Sequence, residues 1–336
     1  GNPANLLLDT DLLPSTRIDT ESYSLFAHGI FGINDRWSLS AGARYTHENK
    51  KWFVVEVRPV SGVYVVPPTN LQEDWDAFTP KLGLEYRVNP DVMLYGQVSQ
   101  GFKSGGWNPR VFDASLMDSY DPEELTSYEV GFKSRWFDHR LTLNGAAFFY
   151  DYEDLQLSSF QPGSDPTIVI LTVDNAGQVE IKGFELEIAA RPMSGLDVEL
   201  GVGYQTNDYT ELDESVPWSM DNALPDAPEW TVHTGIQYQL PLGANGHLIP
   251  RLDGFYRSRT EKDTFNSADI SQEGVTLLNV QLGYESADER WRITAFGTNI
   301  TDEEYITRGL HFTDFGFTTV YPARGREWGV SASYRF

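Results

Sequence analysis

LDVELGVGYQ, residues 196–205, alternates without a break: Leu196, Val198, Leu200, Val202 and Tyr204 are apolar, and Asp197, Glu199, Gly201, Gly203 and Gln205 separate them. Successive side chains of an extended strand point to opposite faces, so the stretch predicts a strand with one apolar and one polar face. The same pattern runs from Trp37 to Glu48, from Trp230 to Leu240 and from Trp328 to Phe336. Less regular copies cover residues 18–32, 75–88, 92–101, 124–137, 141–160, 167–190, 247–258, 275–286 and 290–299. The count is 13 strands, and residues 4–16 offer a weak fourteenth that Pro14 argues against.

Outward from these strands, the connections alternate in length. Short ones lie near Asn34, at Asn89 to Asp91, Phe137 to Arg140, Pro192 to Gly195, Pro241 to His247 and Ala287 to Glu289. Long ones lie at 49–74, 102–123, 161–166, 209–228, 259–274 and 300–324. In an antiparallel meander alternate connections share one end, so one rim carries tight turns and the other long loops, as in outer-membrane barrels.

A soluble sandwich also alternates, and three features weigh against it. The strands run about 9–14 residues, which suits a tilted bilayer crossing better than the usual mode of about 5–6. Charge falls on the polar face, at Arg44, Lys81, Glu85, Arg87, Lys133, Arg135, Asp197, Glu199 and Arg335. On the apolar face aromatics recur eight residues apart: Trp37 and Tyr45, Phe78 and Tyr86, Tyr128 and Trp136, Trp230 and Tyr238, Trp328 and Phe336. Eight residues span roughly 26 Å along a strand, the separation of two aromatic girdles around a lipid-facing band. The reading is an all-β, antiparallel transmembrane β-barrel meander, with short periplasmic turns, long extracellular loops and residues 1–336 in one domain.

Composition excludes several alternatives. Lys+Arg 25 against Asp+Glu 49 leaves a net charge of −24, which disfavours nucleic acid as a partner. With Cys 0 there are no disulfides, thiolate metal sites or cysteine nucleophiles. Mean hydropathy is −0.38, and no run of 18 apolar residues suggests a transmembrane helix. The start, GNPANLLLDTDLL, lacks the basic and apolar regions of a signal peptide. No phosphate loop, nucleophile elbow, HExxH pair or EF-hand occurs, and the 6 histidines never pair at ligand spacing. Acid pairs such as Glu123–Glu124 and Asp213–Glu214 read as solvated loop residues. Neither an enzyme, a cofactor nor a resident metal is expected.

The acidity is local. Nine acids and no Lys or Arg lie between Arg191 and Arg251, and six acids lie between Arg110 and Lys133, mostly in or beside long loops. They predict a negative outer rim. The loop GFKSGGWNPR, residues 101–110, is the candidate ligand contact: Trp107 offers a stacking face, Lys103 and Arg110 supply donors beside Asn108, and Gly105 and Gly106 allow tight turns.

Four segments, GFKSGGWN (101–108), YDPEELTSYEVGFKS (120–134), NAGQVEIKGFELE (175–187) and NITDEEY (299–305), in this order, resemble TonB-dependent outer-membrane receptors. The closing SYRF, with Tyr334 and Phe336, is similar to the terminal strand that the barrel assembly machinery recognises in such proteins. The resemblance implies the C-terminal part of a 22-stranded, plugged barrel, beginning near strand 10, with the plug and TonB-contacting box upstream of the chain. It also implies uptake of a scarce, bulky nutrient such as siderophore-bound iron, haem, cobalamin or an oligosaccharide. Energy would come through TonB, ExbB and ExbD, and the barrel would sit among lipopolysaccharide and outer-membrane lipid. An odd strand count leaves edges unpaired, so the chain alone is expected to form an incomplete sheet. Two rival readings remain open at this point: a passive, plug-free porin-like channel and a structural or adhesive surface protein.

Overall fold

The computed structural model describes residues 13–108, 117–162, 169–214, 216–312 and 316–336. Thirteen strands form the wall: β1 Leu13–Gly32, β2 Trp37–Val57, β3 Tyr64–Asn89, β4 Val92–Lys103, β5 Glu123–Trp136, β6 Leu141–Glu153, β7 Gly177–Met193, β8 Leu196–Leu212, β9 Trp230–Tyr238, β10 His247–Arg257, β11 Val275–Glu285, β12 Trp291–Thr298 and β13 Glu327–Tyr334. Each pairs antiparallel with the next in chain order, and the two-residue strand Leu240–Pro241 brings this one sheet to 14 strands. Among the described residues no strand pairs with the outer edge of β1 or of β13, so the sheet is open there.

The expected strands all form, and the differences concern the loop side. Residues 49–74, read as a loop, are mostly ladder: β2 runs on to Val57 and β3 begins at Tyr64. Here apolar residues occupy both faces, Trp52 and Val54 on one and Phe53 and Val55 on the other, so the alternation that marks a strand vanishes. The readings 141–160 and 167–190 each fuse a wall strand with one arm of a loop hairpin, Gln156–Pro162 paired to Val169–Asn175. The chain breaks between them at Asp154, φ 52°, and Gly177, φ 126°. Two more loop hairpins form, Gly106–Trp107 with Ser119–Tyr120 and Ile306–Phe312 with Phe317–Pro322. The weak strand proposed for 4–16 lies, through residue 12, outside the described residues.

Burial inverts that of a soluble sandwich. Leu25, Phe78, Leu82, Val130, Leu282 and Val330, all on the apolar face, are exposed. On this face the rings fall into two bands. On the loop side Tyr45 is opposite Phe78, Tyr128 opposite Phe149, and Tyr204 opposite both Phe184 and Trp230. On the turn side Trp37 packs on Tyr86 at 4.5 Å and Trp291 on Tyr334 at 4.8 Å, while Trp136 faces Leu141 and Tyr238 faces Leu196. Trp328 lies over Gly297, and Phe336 is fully exposed beyond β13. Phe149, Phe184, Tyr204 and Trp291 escape the eight-residue rule because Leu141, Pro192, Leu196 and Asn299 stand at the other end of their spacing.

The polar face carries paired charges instead. Arg251 bonds Asp253 at 2.7 Å and Glu199 at 3.4 Å, Arg191 bonds Asp197 at 2.6 Å, and Arg292 bonds Glu285 at 2.5 Å. Asp197 and Glu199, counted above with the rim, are therefore wall residues. The two buried apolar clusters sit at the loop-side ends of the wall strands and on the loops beside them. One is built on Trp52, Val54, Val66, Trp75 and Trp107, the other on Leu155, Ala176, Val179, Tyr209, Trp218 and Leu224.

Candidate functional site at the loop-side mouth

The four quoted segments fold into joints between loops. After β4, Gly105 and Gly106 bring the chain against β3 and the facing arm of the loop. A Cβ on Gly105 would stand 2.4 Å from the Tyr120 carbonyl oxygen and 2.6 Å from Trp75 Nε1, and one on Gly106 would stand 2.7 Å from the Tyr120 hydroxyl. Neither glycine has positive φ. Close approach to a backbone carbonyl and an indole is what requires Gly105, whereas Gly106 meets only the end of the Tyr120 side chain.

Trp107 then inserts between Trp52 (centroids 5.7 Å apart, stacked) and Trp75 (5.8 Å, edge-on), and is only 4% exposed. Lys50 donates to the Gly105 carbonyl at 2.7 Å and stands over the Trp75 ring at 5.3 Å. Asn108 is buried too: its Oδ1 accepts from the Val173 amide and its Nδ2 donates to the Val173 carbonyl. Lys103 stays in solvent, its side chain 60% exposed and 3.7 Å from Glu123. Arg110 lies outside the described residues. Thus Lys103 is an accessible donor, whereas Trp107 and Asn108 seat the loop.

Segments 120–134 and 175–187 meet the first at one point. Asn175 donates to the carbonyls of Asp121 (3.0 Å) and Asp154 (2.9 Å) and accepts from the Asp121 amide at 2.7 Å. Gln156 donates to Asp121 O at 2.9 Å and Ser104 O at 3.2 Å, while its own amide donates to Glu123 at 2.9 Å. Ala176 is fully buried, and a Cβ on Gly177 would meet the Glu211 carbonyl at 2.2 Å. The fourth segment closes the far end: Asn299 exchanges two bonds with Glu303, at 2.8 and 2.9 Å, and Asp302 accepts from the Arg326 amide at 2.8 Å.

Beside this junction opens a cavity of about 470 Å³, lined among others by Asn108, Tyr120, Asn175 and six carboxylates: Asp118, Asp121, Asp154, Asp174, Glu211 and Asp213. The expected acidic rim thus gathers around a hollow. Among the described residues no three His, Cys, Asp or Glu side chains group closely enough to hold a metal ion. The acids set a negative potential at the mouth and present acceptors to polar groups.

Burial shapes ionisation here. Burial opposes charge on Glu48, yet hydrogen bonds from Ser104, Lys50 and Ser22 outweigh it and hold the carboxyl below its ordinary value. Burial pushes the Tyr209 hydroxyl up to about 12 and raises that of Tyr120. On the far side of the mouth, hydrogen bonds from Thr318 and His311 keep Asp269 below the usual carboxylate range against a small burial cost.

Comparison with known proteins places this arrangement. The pesticin receptor of Yersinia pestis is 24% identical over 302 residues, covering 88% of this chain and 42% of that protein. The ferric-pyoverdine M114 receptor PbuA of a Pseudomonas species is 25% identical over 235 residues, 68% of this chain and 26% of that protein. The chain therefore spans less than half the length of these relatives. The crystal structure of the ferric yersiniabactin uptake receptor FyuA of Yersinia pestis superposes with a TM-score of 0.83 at 21% identity, over 97% of this chain and 47% of that one. The siderophore receptor PiuA of Acinetobacter baumannii gives 0.73 at 19% identity, over 94% of this chain and 43% of that one. The family model described as "TonB dependent receptor-like, beta-barrel" matches residues 1–300, and the chain belongs to that family.

Proposed function

We propose that residues 1–336 form the C-terminal part of the barrel domain of an outer-membrane receptor that imports a scarce, bulky nutrient with energy delivered through TonB, ExbB and ExbD. The observation that carries this reading is the family match joined to a wall with an apolar outer face, two aromatic bands and a polar inner face. Among nutrient classes, siderophore-bound iron comes first, because the similar receptors named above include those for ferric pyoverdine and ferric yersiniabactin. The aromatic bands, Trp37, Tyr45, Phe78, Tyr86, Tyr128, Trp136, Trp230, Tyr238 and Trp328, would sit at the two lipid interfaces. Tyr334 and Phe336 would be read by the barrel assembly machinery. Lys103 and Arg110 would meet ligand at the mouth, with Trp107 and Asn108 holding their loop in place.

A passive, plug-free channel is disfavoured by the family. The experiment is binding of a panel of ferric siderophores, haem and cobalamin to the complete purified protein, read by quenching of tryptophan fluorescence. Saturable sub-micromolar binding of one ferric siderophore supports the reading; binding of none, with open-channel conductance in planar bilayers, would replace it with the channel.

A further inference from the structure

The long loops of this barrel are not independent. One device joins them three times: an asparagine amide both donates to and accepts from the backbone of a single residue in a neighbouring loop, a one-residue imitation of a β-bridge. Asn108 does so with Val173, Asn175 with Asp121, and Asn266 with Ala223, the last at 2.7 and 3.0 Å. These amides are carried by loops 104–122, 154–176 and 258–274 and reach partners in 154–176, 104–122 and 213–229 respectively.

The remaining gaps are closed by packing and by single backbone contacts. Upstream, Trp107 locks the first of these loops against Trp52 and Trp75 of the β2–β3 hairpin. Between the second and third loops, the Asp213 amide donates to Ala176 O at 3.0 Å, and Leu155, Trp218 and Leu224 share one buried cluster. Downstream, the Ile306 amide donates to Gln272 Oε1 at 2.7 Å, and fully buried Ile270 presses on Gly309, where a Cβ would lie 2.4 Å from its own. Each element is thus tied to both of its neighbours from β2–β3 to the hairpin Ile306–Pro322.

We propose that these six loop-side elements form one mechanical strap that opens and closes cooperatively, with Asn108, Asn175 and Asn266 as its joints, so that a contact at any element is felt along the whole mouth. The alternative is a set of flaps that move singly. Cooperative opening has a distinct signature, because backbone amides in one unit share one opening free energy whereas separate units have separate ones.

The test is native-state hydrogen exchange by mass spectrometry on the complete protein in liposomes, with and without Asn175→Asp. That substitution keeps the shape, removes the two donations and sets a carboxylate against carbonyl oxygens. Losing bonds worth about 1 kcal/mol each should speed exchange by ~10–100-fold. The acceleration should reach loops 213–229 and 258–274, not Asp121 and Asp154 alone, while β4–β8 between the aromatic bands keep their protection. Should the variant fail to fold, the native protein decides: slow amides of all six elements must converge on one isotherm as denaturant is raised. Acceleration confined to residues 104–122 and 154–176, or separate isotherms for each loop, would overturn the strap.

Discussion

The indole of Trp107 stacks on that of Trp52 at an interplanar angle of 26° and a centroid separation of 5.7 Å. It joins a receptor loop to the extended β2–β3 hairpin 55 residues earlier in the chain. Trp107→Ala should cost about 3 kcal/mol at this seat, within the range for burying large aromatics. Limited proteolysis should then cut residues 104–108 while the barrel stays resistant, and Trp107→Phe should restore most of the protection.

The same seat depends on pH through Glu48. Its folded-state value is lowered, so its contribution is fully present above the ordinary carboxylate range and is lost as pH falls through the lowered folded value. Loop protection measured by hydrogen exchange should therefore decline on acidification below about pH 4.5. Glu48→Gln should remove this component of the pH dependence.

Which face meets lipid is decided by neighbouring residues on β8. Leu200 lies on the apolar face midway between the bands, and Glu199 lies on the polar face beside Arg251. Leu200→Arg should destabilise the barrel in bilayers by about 2–4 kcal/mol. Glu199→Gln, with Arg251 still held by Asp253, should cost under about 1 kcal/mol. Equal effects in a urea titration would contradict the assignment of faces.

The turn after β5 holds three successive non-glycine residues in the left-handed region, Phe137, Asp138 and His139, at φ 56°, 54° and 65°. Each such residue costs roughly 1 kcal/mol, so Asp138→Gly should stabilise the protein by about that amount. Thermal unfolding in detergent would show it as a higher midpoint.

Much of this fold is written in local pattern. Every wall strand is visible because one side of each is apolar and the other polar, and that asymmetry repeats at every second residue, as at Leu196 to Tyr204. The pattern fails at Trp52 to Val55, where the loop carrying Trp107 covers one face and both faces become apolar. The candidate site was legible only as chemistry-bearing residue types. That Trp107 would be buried depended on Trp52 and Trp75, and that Asn175 would bridge to Asp121 depended on pairing 54 residues apart. No single-segment signal encodes such contacts.

The central claim, that this wall belongs to an energised nutrient receptor, is met most directly by uptake of radiolabelled iron as ferric siderophore into iron-starved cells carrying the complete gene. Accumulation that requires both this protein and TonB, and that falls at least about tenfold when either is deleted, is the expected result. Accumulation that persists without TonB and rises linearly with external concentration would contradict it.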